Sequence, residues 1–224
     1  MGGWEQAAAS FLLAFPTLFS IVNPLAAALI FSQVTADRNH AERVRLARLV
    51  ATYSAIVMVA SLWAGSYVLN FFGVSLAALR IAGGFVVAER AWALLSAPER
   101  TEARKQEQAA PAGDMADAAF YPLTMPFTTG PGTISVAIAL GSTRPAAGEG
   151  LAAFFLGASA AALAVAAIVW LAYGSADRLV ALLGEARARV VTRLSAFLLL
   201  CVGVQILING ITDVLAPLLA GAPG

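Results

Sequence analysis

Two short stretches hold residue types whose spacing points to chemistry. Asn23-Pro24 lies within SIVNPLAA, and Thr129-Gly130-Pro131-Gly132-Thr133 lies within TTGPGTIS. Both interrupt long apolar runs. Asn is a favoured helix N-cap, and Pro is favoured at the first helical position, where its missing N–H is no loss. Each stretch therefore reads as a helix beginning anew. Asn23 caps one and Pro24 starts it; Thr129 or Gly130 caps the other, Pro131 starts it, and Gly132 leaves room for close approach. A helix start offers unpaired N–H groups and the positive end of the helix dipole, which suit a carboxylate. The carbonyls ending the preceding half-helix suit an ammonium. Binding of a small zwitterion is the expected chemistry, with no catalysis, resident cofactor or metal.

The elements that must position these residues belong to a membrane. The chain is 60% hydrophobic and 12% charged, against about 25% charged in a soluble domain. Leu49–Phe72 and Leu151–Tyr173 carry no charge and exceed the roughly 20 residues of a span. Six spans are expected: Ala7–Phe31, Leu49–Asn70, Leu76–Leu95, Phe120–Gly141, Leu151–Tyr173 and Leu194–Ala216. The first has no basic flank before it, unlike a secretory signal, and is expected to be retained. Most Lys and Arg fall in residues 38–48, 100–105 and 178–193, the first, third and fifth connections. The positive-inside rule makes these cytoplasmic and both termini external. Tyr and Trp near the span ends fit interfacial belts.

A polar linker, 97–119, divides the chain into two halves, about 7–96 and 120–216, of three spans each. An odd number of crossings per half means that any repeat is inverted. The halves echo each other: Asn23-Pro24 answers Gly130-Pro131, and FFGVSLAALRIAGGF (71–85) answers LLGEARARVVTRLSAF (182–197). The expected fold is all-α, six transmembrane helices in two inverted three-helix repeats, with the first and fourth helices broken. The two restarts then meet at mid-bilayer from opposite sides. Unpaired backbone groups there cost several kcal/mol each unless protein, water or ligand satisfies them.

Other polar residues are secondary. Gln205, Asn209 and Asp213 share one face of the sixth span, as pathway lining or as interhelical glue. Glu89, beside Arg90, is a candidate for carrying a coupling proton, or reaches the interface as a hydrated pair. Arg80 and Arg193 read as interface anchors, and His40 as solvated. Ala153, Gly157 and Ala161 form a packing seam. Asn39 and Glu42 make a capping box that starts a helix.

NPLAAALIF, FGVSLAALRIAGG, YPLTMPFTTGPGTI and FLLLCVGVQILINGI together resemble the MarC family of bacterial membrane proteins, over about residues 11–211. The resemblance implies a six-helix inner-membrane protein of inverted repeats, related in plan to amino-acid exporters. It further implies glycine- or alanine-like substrates, with Asn23, Pro24 and Thr129–Thr133 as signature positions. The sequence departs from the family pattern at Glu89-Arg90 and at Ala26, where many relatives have Gly. These departures bear on the substrate rather than the fold.

Among competing functions, an enzyme lacks support because HExxH, GxSxG and clustered His, Cys and Asp are missing from the sequence. A dithiol carrier is excluded by the single cysteine, Cys201, since thiol exchange needs a pair. A channel or non-transporting scaffold stays open. The reading is a secondary transporter or exporter of a small zwitterion in the lipid bilayer, coupled to a proton or sodium ion, with no nucleic-acid partner.

Overall fold

The computed structural model describes residues 3–96, 115–145 and 149–220. These residues are almost entirely helical and include no strand. The expected linker 97–119 lies outside the described residues as far as residue 114.

Helices α1 (Gly3–Val22) and α2 (Pro24–Val34) are separated by Asn23. Helix α3 (His40–Phe71) starts at the expected cap, where Asn39 Oδ1 accepts the Glu42 backbone N–H at 3.0 Å. A turn with Gly73 at φ +67 leads into α4 (Leu76–Ser96). After the single turn α5 (Met115–Ala118), the expected fourth helix is two pieces: a π-helical stretch, π1 (Ala119–Thr128), and α6 (Pro131–Ser142). Helices α7 (Glu149–Gly174) and α8 (Ala176–Ala220) follow. The connection expected between the fifth and sixth spans is itself helix, the first part of a continuous α8.

The prolines explain π1. Pro122 and Pro126 cannot donate to an α-helical ladder. The residues before them, Tyr121 (φ −126, ψ 124) and Met125 (φ −111, ψ 117), are extended, as the clash with a following proline ring demands. Threonines repair the loosened ladder. Thr124 Oγ1 donates to Ala119 O and Thr128 Oγ1 to Leu123 O, each at 2.7 Å.

Four stretches among the described residues are long and apolar enough to cross a bilayer: Gly3–Val22, His40–Phe71, Gly150–Gly174 and Ala196–Ala216. Helix α4 has 21 residues but carries Arg80, Glu89 and Arg90. Helix α6, with 12 residues, rises only ~18 Å, about three-fifths of a hydrocarbon core.

Helix α1 lies along α7, α3 along α6 and α7, and α4 along α8; α4 also meets α6, and α2 meets α7 and α8. Glycines let backbones touch, as in membrane helix pairs. A Cβ on Gly141 would fall 2.0 Å from Leu62 O, and one on Gly157 2.1 Å from Ala7 O. The seam of Ala153, Gly157 and Ala161 is thus buried, with Gly157 against α1. Leu18, Phe31, Leu46, Met58, Leu62 and Val165 fill the core. Outward faces carry Phe85, Trp92, Leu156 and Leu163, an apolar exterior suited to lipid.

Ion pairs mark the two ends of the bundle. At one, Arg80 of α4 pairs with Asp213 of α8. At the other, Asp177 of α8 pairs with Arg43 and lies 3.4 Å from the exposed His40, both from α3. These are called below the Arg80 end and the Asp177 end.

Candidate functional site

Both expected restarts form, by different local means. Asn23 is not an extended cap. Its N–H still bonds Phe19 O at 2.9 Å, so α1 holds its ladder up to that residue. Asn23 then turns left-handed, φ +46, a conformation that Asn tolerates better than most residues. Its carbonyl accepts the Ala27 N–H at 3.0 Å, and Pro24 opens α2. At the second restart the cap is Gly130, extended at φ −80 and ψ −177, with Pro131 at the first position of α6. Ile134 N–H closes the first bond to Gly130 O at 3.1 Å. Thr129 belongs to the preceding segment, its N–H bonding Thr124 O at 2.9 Å.

The restarts come close together and are sealed by apolar packing. A Cβ on Gly132 would lie 3.7 Å from Ile21 Cδ1, two residues before Asn23, and only 2.0 Å from Val87 Cγ2 of α4. The room left by Gly132 is therefore occupied by Val87. Pro24, Thr129 and Thr133 are buried, while Asn23 is partly exposed and Pro131 exposed.

A cavity of about 340 Å³ opens at the Arg80 end, between α1, α4, α6 and α8. It meets the restart through Ser135, whose Oγ donates to Pro131 O at 2.8 Å. Gly83 admits Ser135 against α4; a Cβ there would lie 2.2 Å from Ser135 Oγ. Arg80, Asp213 and Asn209 line the cavity with Thr17, Thr143 and Thr212. Val136, Ala139, Leu140 and Ile206 form an apolar strip. Of the residues expected at the site, Asn209 is on this lining. Gln205 braces it, donating to Asn209 Oδ1 at 2.9 Å. Glu89 is exposed on α4 and does not line the cavity. Arg80 is more than the interface anchor expected of it, since its side chain is 23% exposed and paired across helices.

Toward the Asp177 end the bundle is closed by aromatic packing. Phe31 stacks on Tyr173 with ring centroids 4.6 Å apart. Tyr173 OH and Thr128 Oγ1 lie 2.8 Å apart. Thr128 has already given its one proton to Leu123 O, so Tyr173 is the donor. Phe127 and Leu123 complete the plug, leaving a void of about 20 Å³. Two features escaped sequence reasoning: the Arg80–Asp213 pair and the Tyr173–Thr128 bond. Two opposite charges inside apolar spans were a usable signal for the first. No local pattern signals the second.

Among the described residues, no group of three or more His, Cys, Asp or Glu is placed to hold a metal ion. No solved structure matches the chain. The sequence profile of the MarC family integral membrane proteins matches residues 8–215. Curated relatives named "UPF0056 inner membrane protein MarC" are similar over 208 residues, 91% of this chain and 94% of theirs: 35% identical in Salmonella typhimurium and 33% in Escherichia coli O139:H28. That from Citrobacter koseri is 34% identical over the same length. With the family profile spanning nearly the whole chain and an all-helical, lipid-suited bundle beneath it, this protein belongs to the MarC family of integral membrane proteins.

Proposed function

We propose that this protein is a secondary transporter of small neutral amino acids, of glycine or alanine size, working by alternating access at the two helix restarts. One observation carries the reading. A cavity with a mixed polar and apolar lining reaches within one helical turn of the second restart from the Arg80 end, while aromatic packing closes the Asp177 end. A carrier open to one side needs that asymmetry. The packing pattern supports six crossings in two inverted repeats: exchanging the halves carries the α1–α7 contact onto π1–α3 and the α2–α7 contact onto α6–α3, and returns α3–α7 and α4–α8 onto themselves. The basic residues near the Asp177 end, Arg38, Arg43, Arg45 and Arg48 among them, make that end cytoplasmic and both termini external. The cavity then faces outward. Substrate passes in either direction between this cavity and the far side past Phe31 and Tyr173, by way of the N-termini at Pro24 and Pro131, when the Val87 contact loosens. A proton or sodium ion supplies the coupling.

A static scaffold is the second reading, and a specific observation favours it. Val87 fills the room at Gly132, and the neighbouring threonines are already buried, so the space at the restarts is taken up largely by protein. Exchange of labelled alanine or glycine in proteoliposomes preloaded with the unlabelled form separates the two. Ala139→Phe, which fills the cavity without entering the Val87 contact, is the control. Exchange lost in that variant supports a carrier. Folded, inserted protein with no exchange across a panel of small zwitterions, under imposed proton or sodium gradients, overturns it in favour of the scaffold.

A further inference from the structure

We propose that the cavity at the Arg80 end is itself an amino-acid binding site, in which Arg80 takes the ligand's carboxylate and Asp213 its ammonium. The inference rests on the transport reading for its biological sense and on the cavity for its chemistry. Thr17, Ser135, Thr143 and Thr212 all line the cavity. Each donates its single proton to a carbonyl of its own helix, at 2.8 Å in every case: Leu13 O, Pro131 O, Leu140 O and Ile208 O. A hydroxyl has one proton and two lone pairs, so these four can only accept from a ligand. With the Asp213 carboxylate they make an acceptor-rich lining suited to an ammonium, which has three protons to give. Donors are few: the Arg80 guanidinium and the Asn209 amide NH2, whose oxygen is occupied by Gln205.

Charge then selects the ligand. Arg80 and Asp213 pair with each other on the cavity lining, with the Asp213 side chain 40% exposed. A lone anion would draw Arg80 away and leave Asp213 unpaired; a lone cation would do the reverse. Either exchange leaves one charge-assisted bond unmade. A zwitterion replaces one ion pair by two with no change in net charge. The volume, about 340 Å³, is that of roughly eleven water molecules at ~30 Å³ each. It admits an α-amino acid with an aliphatic side chain laid on Val136, Ala139, Leu140 and Ile206. Because Ser135 is bonded to Pro131 O, this site lies one helical turn along α6 from the second restart and serves as the outer station beside it.

The test is a change in selectivity, which a structural brace would not produce. Labelled alanine, propionate and alanine methyl ester are each equilibrated with the purified protein in detergent. The wild type is expected to bind alanine at least tenfold more tightly than the anion or the cation. Asp213→Asn frees Arg80 and should make propionate the best of the three; Arg80→Gln should favour the methyl ester. The swapped protein Arg80→Asp/Asp213→Arg checks folding: it should regain thermal stability without regaining alanine affinity, because the acceptor hydroxyls stay where they were. One ranking in all proteins overturns the site, even if proteoliposomes exchange alanine. Inverted rankings with no exchange would uphold the site and refute transport. A wild type that binds none of the three probes refutes both.

Discussion

The Tyr173–Thr128 bond makes a prediction in which two deletions of the same contact differ in cost. Both side chains are buried, 3% and 2% exposed. Thr128 Oγ1 donates to Leu123 O and accepts from Tyr173. In Tyr173→Phe the ring and its stack on Phe31 stay, and Thr128 keeps its bond to Leu123. The loss is one net hydrogen bond, about 1 kcal/mol. In Thr128→Val the Tyr173 hydroxyl is left buried and unpaired, and Leu123 O loses its side-chain partner. Each orphaned group costs about 1–3 kcal/mol, so the total is about 2–6 kcal/mol. The double variant removes the stranded hydroxyl and should be no worse than Thr128→Val alone, hence clearly less than the sum. Reversible unfolding of the three proteins in mixed micelles measures the cycle. Equal costs for the two single changes, or additivity in the double, would refute the reasoning.

Further predictions follow from local geometry. At Asn23, with φ +46, Gly should be tolerated, whereas Val should destabilise by about 1–2 kcal/mol because a β-branched residue resists the left-handed region; thermal melts of the two variants decide it. Gly141→Ala drives a Cβ against the Leu62 carbonyl, while Gly174 has nothing within 4 Å of its own. The first change should cost about 1–3 kcal/mol by overpacking. The second should be neutral or stabilise by up to about 1 kcal/mol through helix propensity, and parallel melts that fail to separate them would contradict the packing.

The membrane class, the helix start at Asn39 and both restarts were legible in the sequence. Each depends on covalent geometry acting over a few residues. Proline lacks an N–H wherever it stands, Asn39 meets a backbone amide three residues on, and a charge-free apolar run favours lipid in any context. The π-helical form of residues 119–128 lay within the same reach, since Pro122, Pro126 and the threonines state it locally. What the tertiary structure decided is which neighbour fills each space. Gly132 signalled close approach, but only packing made the neighbour Val87. Arg80 and Asp213 are 133 positions apart, and Thr128 and Tyr173 are 45 apart. Contacts of that kind depend on how helices stack and rotate against each other. Small residues permit such stacking at many places, whereas the positions of the charges, hydroxyls and rings that make a cavity or a plug exist only once one arrangement is chosen.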